Sequence, residues 1–174
     1  MNTYAAVTQL NSHVQCLYPF IELDGHGNYP TSANFEIIHT SDGRGAGIRV
    51  LRAFSRGQQI SRVSGHVIAS RRLHTLQITP YAHLYDPYFS GLLLHSCNPN
   101  VFLDMGQFEL WALRDIPAGD LLMMDYASTE DILMRQFQCQ CGSAGCRGWI
   151  TGSKEQVNEE GLAVLRNGAV QRLS

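Results

Sequence analysis

The tightest constraint in this 174-residue chain is a run of eight residues, Cys139-Gln-Cys141-Gly-Ser-Ala-Gly-Cys146. Three thiolates packed this closely repel one another unless a cation holds them, and tetrahedral zinc is the default ion for soft sulfur ligands. Gly142 and Gly145 let the backbone wrap tightly and aim N–H groups at the sulfurs. A structural zinc site takes four ligands, so one must come from elsewhere in the chain. Cys97 and Cys16 are the candidates, with the histidines behind them. The cysteine count is odd, at five, and the opening MNTYAAVTQLNS lacks the basic cluster and apolar core of a secretory leader. Both features argue against a disulfide framework.

The length suits one domain with at most a small appendage, large enough to fold without covalent staples. Apolar runs such as Leu121 to Met124 are far shorter than the roughly 20 residues of a membrane helix. Charged residues make up only 16% of the chain and the net charge is −2. No basic excess is available for binding nucleic acid by bulk electrostatics.

Periodicity predicts short strands between glycine-rich turns. Strands are expected at Phe35–His39, Ile48–Phe54 and Gln59–Ala69, with a hairpin of Val101–Asp104 and Gln107–Leu113 turning at Met105-Gly106. Leu121–Met124 reads as a further apolar strand. Ser128 and Asp131 have capping-box spacing, which predicts a short helix over 128–137. A second helix is expected from an N-cap at Ser153 to about Arg166, stopping at Gly168. Leu51 to Ile60 is echoed by Leu113 to Leu122, each reading as strand, tight turn at glycine, strand. Residues 1–32 match no usable pattern.

Four segments carry chemistry. Gly43-Arg-Gly45-Ala-Gly47 lets backbone approach a ligand, but β-like residues follow it, which excludes a dinucleotide-binding turn. His95-Ser96-Cys97-Asn98-Pro99-Asn100 is no catalytic triad, because adjacent residues do not point at one another. Asp125-Tyr126 ends an apolar strand, and the cysteine run completes the set. Together and in this order they resemble the SET-domain lysine methyltransferases. Gly45-Ala46-Gly47 is similar to the family's opening G-x-G, His95 to Asn100 to its N-H-S-C-x-P-N, and Gly119 to Tyr126 to its G-E-E-L-x-x-D-Y. Phe137 to Gly148 resembles its post-SET zinc motif. The resemblance covers about Phe35 to Ile150.

The resemblance implies a mainly β fold, the SET-domain β-clip, in which a C-terminal segment threads a loop to make a pseudoknot. A small zinc-bound post-SET segment and a C-terminal helix would complete it. The division is an unassigned N-terminal extension over 1–32, a SET domain over 33–136, the post-SET segment over 137–150 and a helical tail over 151–174. Zinc is implied on Cys97, Cys139, Cys141 and Cys146, with Cys16 left as a free thiol. S-adenosylmethionine is implied at Arg44, Gly45, Ala46, Gly47, Leu94, His95, Tyr126 and Trp149, with Tyr126 as the catalytic residue. Three departures stand out. Leu94 replaces the Asn that usually precedes the His, Gly91 replaces an Arg, and Val63-Ser64-Gly65 replaces Tyr-x-Gly. Tyr81, Tyr85 and Tyr88 are the candidates to restore the missing hydroxyl.

The leading reading is a protein-lysine N-methyltransferase. A SET-like enzyme for a small amine or amino acid is the first alternative, because the insert between Arg71 and Ser90 leaves little material for a peptide groove. A non-catalytic zinc and cofactor module is the second. The expected partner is a protein or small-amine substrate, with no direct nucleic-acid or membrane binding. An intracellular location, cytoplasmic or nuclear, is expected, and the oligomeric state stays open.

Overall fold

Alternation of apolar and polar residues from Phe35 onward produces a hairpin of β1 (Phe35–His39) and β2 (Ala46–Val50), in register from Phe35 opposite Val50 to His39 opposite Ala46. A computed structural model describes residues 14–23 and 27–171. After β2 come β3 (Gln59–Arg62), β4 (His66–Ile68), β5 (Thr75–Thr79) and β6 (Ala82–Tyr85). They are followed by β7 (Leu94–His95), β8 (Val101–Asp104), β9 (Glu109–Ala112) and β10 (Met123–Met124). The chain ends in β11 (Phe137–Gln138), β12 (Trp149–Ile150) and α1 (Glu159–Gln171).

Besides the β1-β2 hairpin there are two three-stranded antiparallel sheets, ordered β3-β9-β8 and β4-β6-β5, and short pairs β7-β10 and β11-β12 complete the fold. The hairpin expected at Met105-Gly106 forms because the Asp104 side chain accepts from the N–H groups of Gly106 and Gln107. Inward residues of the strands, including Ile48, Val50, Ile60, Leu103 and Leu110, build one apolar core, with Phe35 stacked on Phe54 at 5.8 Å. The two halves of the sequence echo lie against each other. Phe54 and Ile116 exchange backbone hydrogen bonds of 2.9 and 2.8 Å, while Gly57 donates to Ala112 and Gly119 to Val50. The echo is therefore one reciprocal turn-on-turn contact.

Several expected boundaries shift. The second strand stops at Val50, opposite the first residue of β1, and the next residue, Leu51, donates its N–H to the Asn34 carbonyl just before β1. The strand expected over Gln59–Ala69 divides into β3 and β4, which belong to different sheets. Only Met123 and Met124 of the expected strand at Leu121–Met124 form a ladder. No helix forms over 128–137. Asp125 caps a single 3₁₀ turn at Tyr126–Ser128 instead, and the residues beyond spend their polar groups on distant partners. Ser153 starts no helix; its N–H donates to the Glu130 backbone carbonyl at 2.9 Å. Asn158 caps α1, its side chain accepting from Gly161 at 2.9 Å, and Gly168 lies within the helix.

The stretch before β1 had no sequence signal, yet Tyr18 is buried in the core. Its hydroxyl donates to Asp86 at 2.8 Å and accepts from the Ser64 N–H at 3.0 Å. Asp86, fully enclosed, also accepts from the backbone N–H groups of Tyr88, Phe89 and Ser90. Those bonds fix the loop that leads into β7. Among the described residues no helix is long and apolar enough to cross a membrane.

Candidate functional site

β7 and β10 pair in parallel, and this brings the His95 segment beside Asp125-Tyr126. Asn100 fastens the junction, its amide donating to the Leu121 carbonyl and accepting from the Met123 N–H, both at 2.8 Å. His95 is buried, and Tyr126 N–H donates to its Nδ1 at 3.3 Å. Burial holds its imidazole down at about 4, more than Asp125 raises it, so the ring is neutral. With Nδ1 accepting, the proton sits on Nε2, which faces the Cys97 sulfur at 3.5 Å. The rings of His95, Tyr126 and Phe137 meet edge-on, with centroids 5.2 to 5.9 Å apart.

Cys97 meets Cys139, Cys141 and Cys146 with all four sulfurs within 4.8 Å of one another, the Cys97–Cys139 pair at 3.7 Å. Four sulfurs about 2.3 Å from one tetrahedral ion stand roughly 3.8 Å apart, so this donor set fits zinc. Burial pushes the Cys139 thiol well up. Burial also raises that of Cys141, but the Ser143 hydroxyl and amide outweigh it and bring Cys141 down to about 5. The N–H of Arg147 reaches the Cys97 sulfur and that of Gly148 the Cys146 sulfur, each at 3.4 Å. The Arg147 guanidinium pairs with Asp125. Cys16 stands apart, bridged through its backbone to Thr31.

Two clefts open on either side of this cluster. The first, of about 360 Å³, runs from Asp42-Gly43-Arg44 past Leu94, His95 and Tyr126 to the stretch from Phe137 to Cys141. The second, of about 300 Å³, has largely apolar walls from Leu76, Leu93, Met124 and Leu133, with Arg71 and Glu130 among its lining. Tyr126 and Phe137 line both clefts and form the wall between them. The Tyr126 hydroxyl donates to the Leu93 carbonyl at 2.8 Å, and burial pushes it up to about 12, so it stays protonated. Arg44 is paired with Asp42 at 2.8 Å, and the aromatic wall and the first cleft's volume suit a ligand carrying a cation and a flat ring.

Of the residues expected around the cofactor, the first cleft takes Arg44, Leu94, His95 and Tyr126. Gly45, at φ +93, makes the β1-β2 turn with open space around it, and Ala46 and Gly47 belong to β2. At Gly47 a Cβ would lie 2.9 Å from the Leu94 side chain. The leucine that replaces the usual Asn occupies that space. Trp149 lines neither cleft. It is buried against Gly161 of α1, and its indole N–H donates to Gln136 at 2.9 Å. The departure at Gly91 is steric, since a Cβ there would lie 2.2 Å from the Asp86 carbonyl oxygen. Val63 is a core residue, and Tyr81, Tyr85 and Tyr88 line neither cleft, so none restores a hydroxyl. Glu130 and Arg71 had no local sequence signal, and Phe137 was legible only as the start of the cysteine motif, because only the fold brings them to the two clefts that Tyr126 lines.

This fold and this arrangement of four motifs define a SET-domain protein. No protein-family model matches the chain. Methyltransferase flvH of Aspergillus flavus is 35% identical over 115 residues, covering 63% of this chain and 64% of that protein. Histone-lysine N-methyltransferase SUV39H2 of Xenopus tropicalis is 28% identical over 156 residues, covering 66% of this chain and 38% of that protein. The crystal structure of KRYPTONITE in complex with mCHG DNA and SAH superposes with a TM-score of 0.55 at 23% identity, over 67% of this chain and 28% of that one. The chain thus spans less than two thirds of the length of each of these proteins. Its fold is the SET-domain fold, and its sequence is similar to those of SET-domain methyltransferases.

Proposed function

We propose that the protein is an S-adenosylmethionine-dependent N-methyltransferase whose acceptor is a lysine side chain of a protein, with zinc on Cys97, Cys139, Cys141 and Cys146. The observation that carries this reading is the wall of Tyr126 and Phe137 shared by two clefts, with donor on one side and acceptor on the other. When bound, S-adenosylmethionine supplies an electrophilic methyl on a cationic sulfur. The Arg44–Asp42 pair stands at one end of the donor cleft, which Leu94 and His95 also line. The Tyr126 oxygen and the Leu93 carbonyl put partial negative charge at the junction, the sign that favours a cationic sulfur. The apolar walls of the second cleft strip water from an incoming ammonium and lower its pKa, so the amine arrives neutral. Cys97, Cys139, Cys141 and Cys146 would hold the zinc, and the His95 Nε2–H facing Cys97 links that site to Tyr126. Relatives named as histone methyltransferases support a protein substrate inside the cell, in cytoplasm or nucleus. A net charge of −2 supports leaving direct nucleic-acid contact outside this reading.

Methyl transfer from labelled cofactor to lysine peptides and small amines tests the reading, with Tyr126→Phe as the informative variant. Losing one oriented hydroxyl at the junction should slow transfer by roughly 10²-fold with cofactor affinity unchanged. A lower melting temperature with little loss of rate would assign Tyr126 to packing instead.

A further inference from the structure

The acceptor cleft holds two opposite charges that do not pair with each other. Glu130 is 6% exposed; its Oε1 accepts from the Gln77 N–H at 2.8 Å and the Thr129 hydroxyl at 3.2 Å. Its other oxygen takes no hydrogen bond from any described residue. Arg71 lines the same cleft and makes no ion pair or hydrogen bond with a described residue, and its Nε is enclosed without a partner. The other nearby charges are committed. Glu155 accepts from the N–H groups of Leu133 and Gly152, and Arg72 lies over the Tyr85 ring at 3.9 Å. A half-buried guanidinium with no ion pair and a buried carboxyl with one oxygen free, in one apolar cleft, suit a ligand that offers a carboxylate to the first and an amine N–H to the second. Arg135 adds a further positive charge to the lining, which disfavours an acceptor flanked by cations.

We propose that this cleft selects an acceptor carrying a carboxylate as well as an amine, the amine on the Glu130 side towards Tyr126 and the carboxylate at Arg71. This rests on reading the second cleft as the acceptor site. A lysine beside an Asp or Glu in a protein offers that chemistry, and so does a free amino acid.

Matched acceptor pairs test it. One pair is a lysine peptide with Glu or Gln next to the lysine, and the other is L-lysine against L-lysinamide. With the parent protein, the acidic member of at least one pair should show kcat/KM higher by about tenfold, mostly through KM. The pair that responds identifies the source of the carboxylate. Arg71→Met should bring the acidic acceptor down to its neutral partner, and Arg71→Lys should recover part of the preference. The parent comparison needs no variant, so a misfolded Arg71→Met leaves the proposal testable. Equal rates within both pairs, or preference for the uncharged members, overturn the proposal and leave the methyltransferase reading standing. No transfer to any amine by cofactor-bound protein overturns both.

Discussion

Glu130 sits where an ionised side chain is least comfortable, and its titration should show it. Burial pushes its carboxyl above the ordinary 4.5, although the Gln77 N–H, the Thr129 hydroxyl and the Arg71 charge each pull it down. The folded state therefore holds this proton more tightly than the unfolded chain. Glu130 contributes stability that is fully present below about pH 4.5 and lost as pH rises through the raised value. Glu130→Gln keeps an oxygen for the Gln77 N–H but cannot ionise. Its urea midpoint should match the parent's near pH 4 and exceed it at about pH 7 to 8. A variant weaker than the parent across that upper range would mean that the carboxylate is stabilised by Arg71 instead. Higher stability combined with loss of the acidic acceptor would mark Glu130 as kept for binding at a cost to folding.

Elements were legible where chemistry is local and blurred where partners are distant. The hairpins at β1-β2 and β8-β9 follow from turn residues and alternation, and the cysteine run announces its metal because thiolates at that spacing have few other uses. The Ser128–Asp131 spacing suggested a helix, yet Asp131 accepts from the Gln77 amide and pairs with Lys154. Competition of that kind cannot be seen from neighbouring residues. Trp149 follows the same rule: beside a zinc cysteine it suggests a ligand-stacking ring, but α1 covers it. The contact explains Gly161 in the first turn of α1, where a Cβ would lie 2.4 Å from the Trp149 indole nitrogen. Gly161→Ala, ordinarily favourable in a helix, should here destabilise by about 1–3 kcal/mol in thermal or denaturant unfolding. Trp149→Phe, by shrinking the ring, should relieve part of that loss, and simple additivity of the two changes would deny the contact.

The molecule as a whole depends on a small segment that touches everything. Residues 137–150 supply Phe137 to both clefts and extend through Cys141 along the donor cleft. Their own pairing is slight, because β11 and β12 are two residues each, too short to hold without help. What fastens them is the cysteine cluster, the Arg147–Asp125 pair and the Trp149 contact with α1. The two three-stranded sheets and their core need none of this. Metal, cofactor site and fold should therefore separate in a set order. The purified protein should carry one zinc per chain, and a strong chelator should remove it. Cofactor affinity measured by calorimetry should then fall by at least about tenfold, because the wall of the donor cleft is released. The strand signal in far-ultraviolet circular dichroism should largely remain, while cooperative melting shifts downward. Cys139→Ser should reproduce the same pattern without chelator. If metal-free protein bound the cofactor with full affinity, the four thiols would be bystanders and Phe137 would be held in place by the apolar core alone.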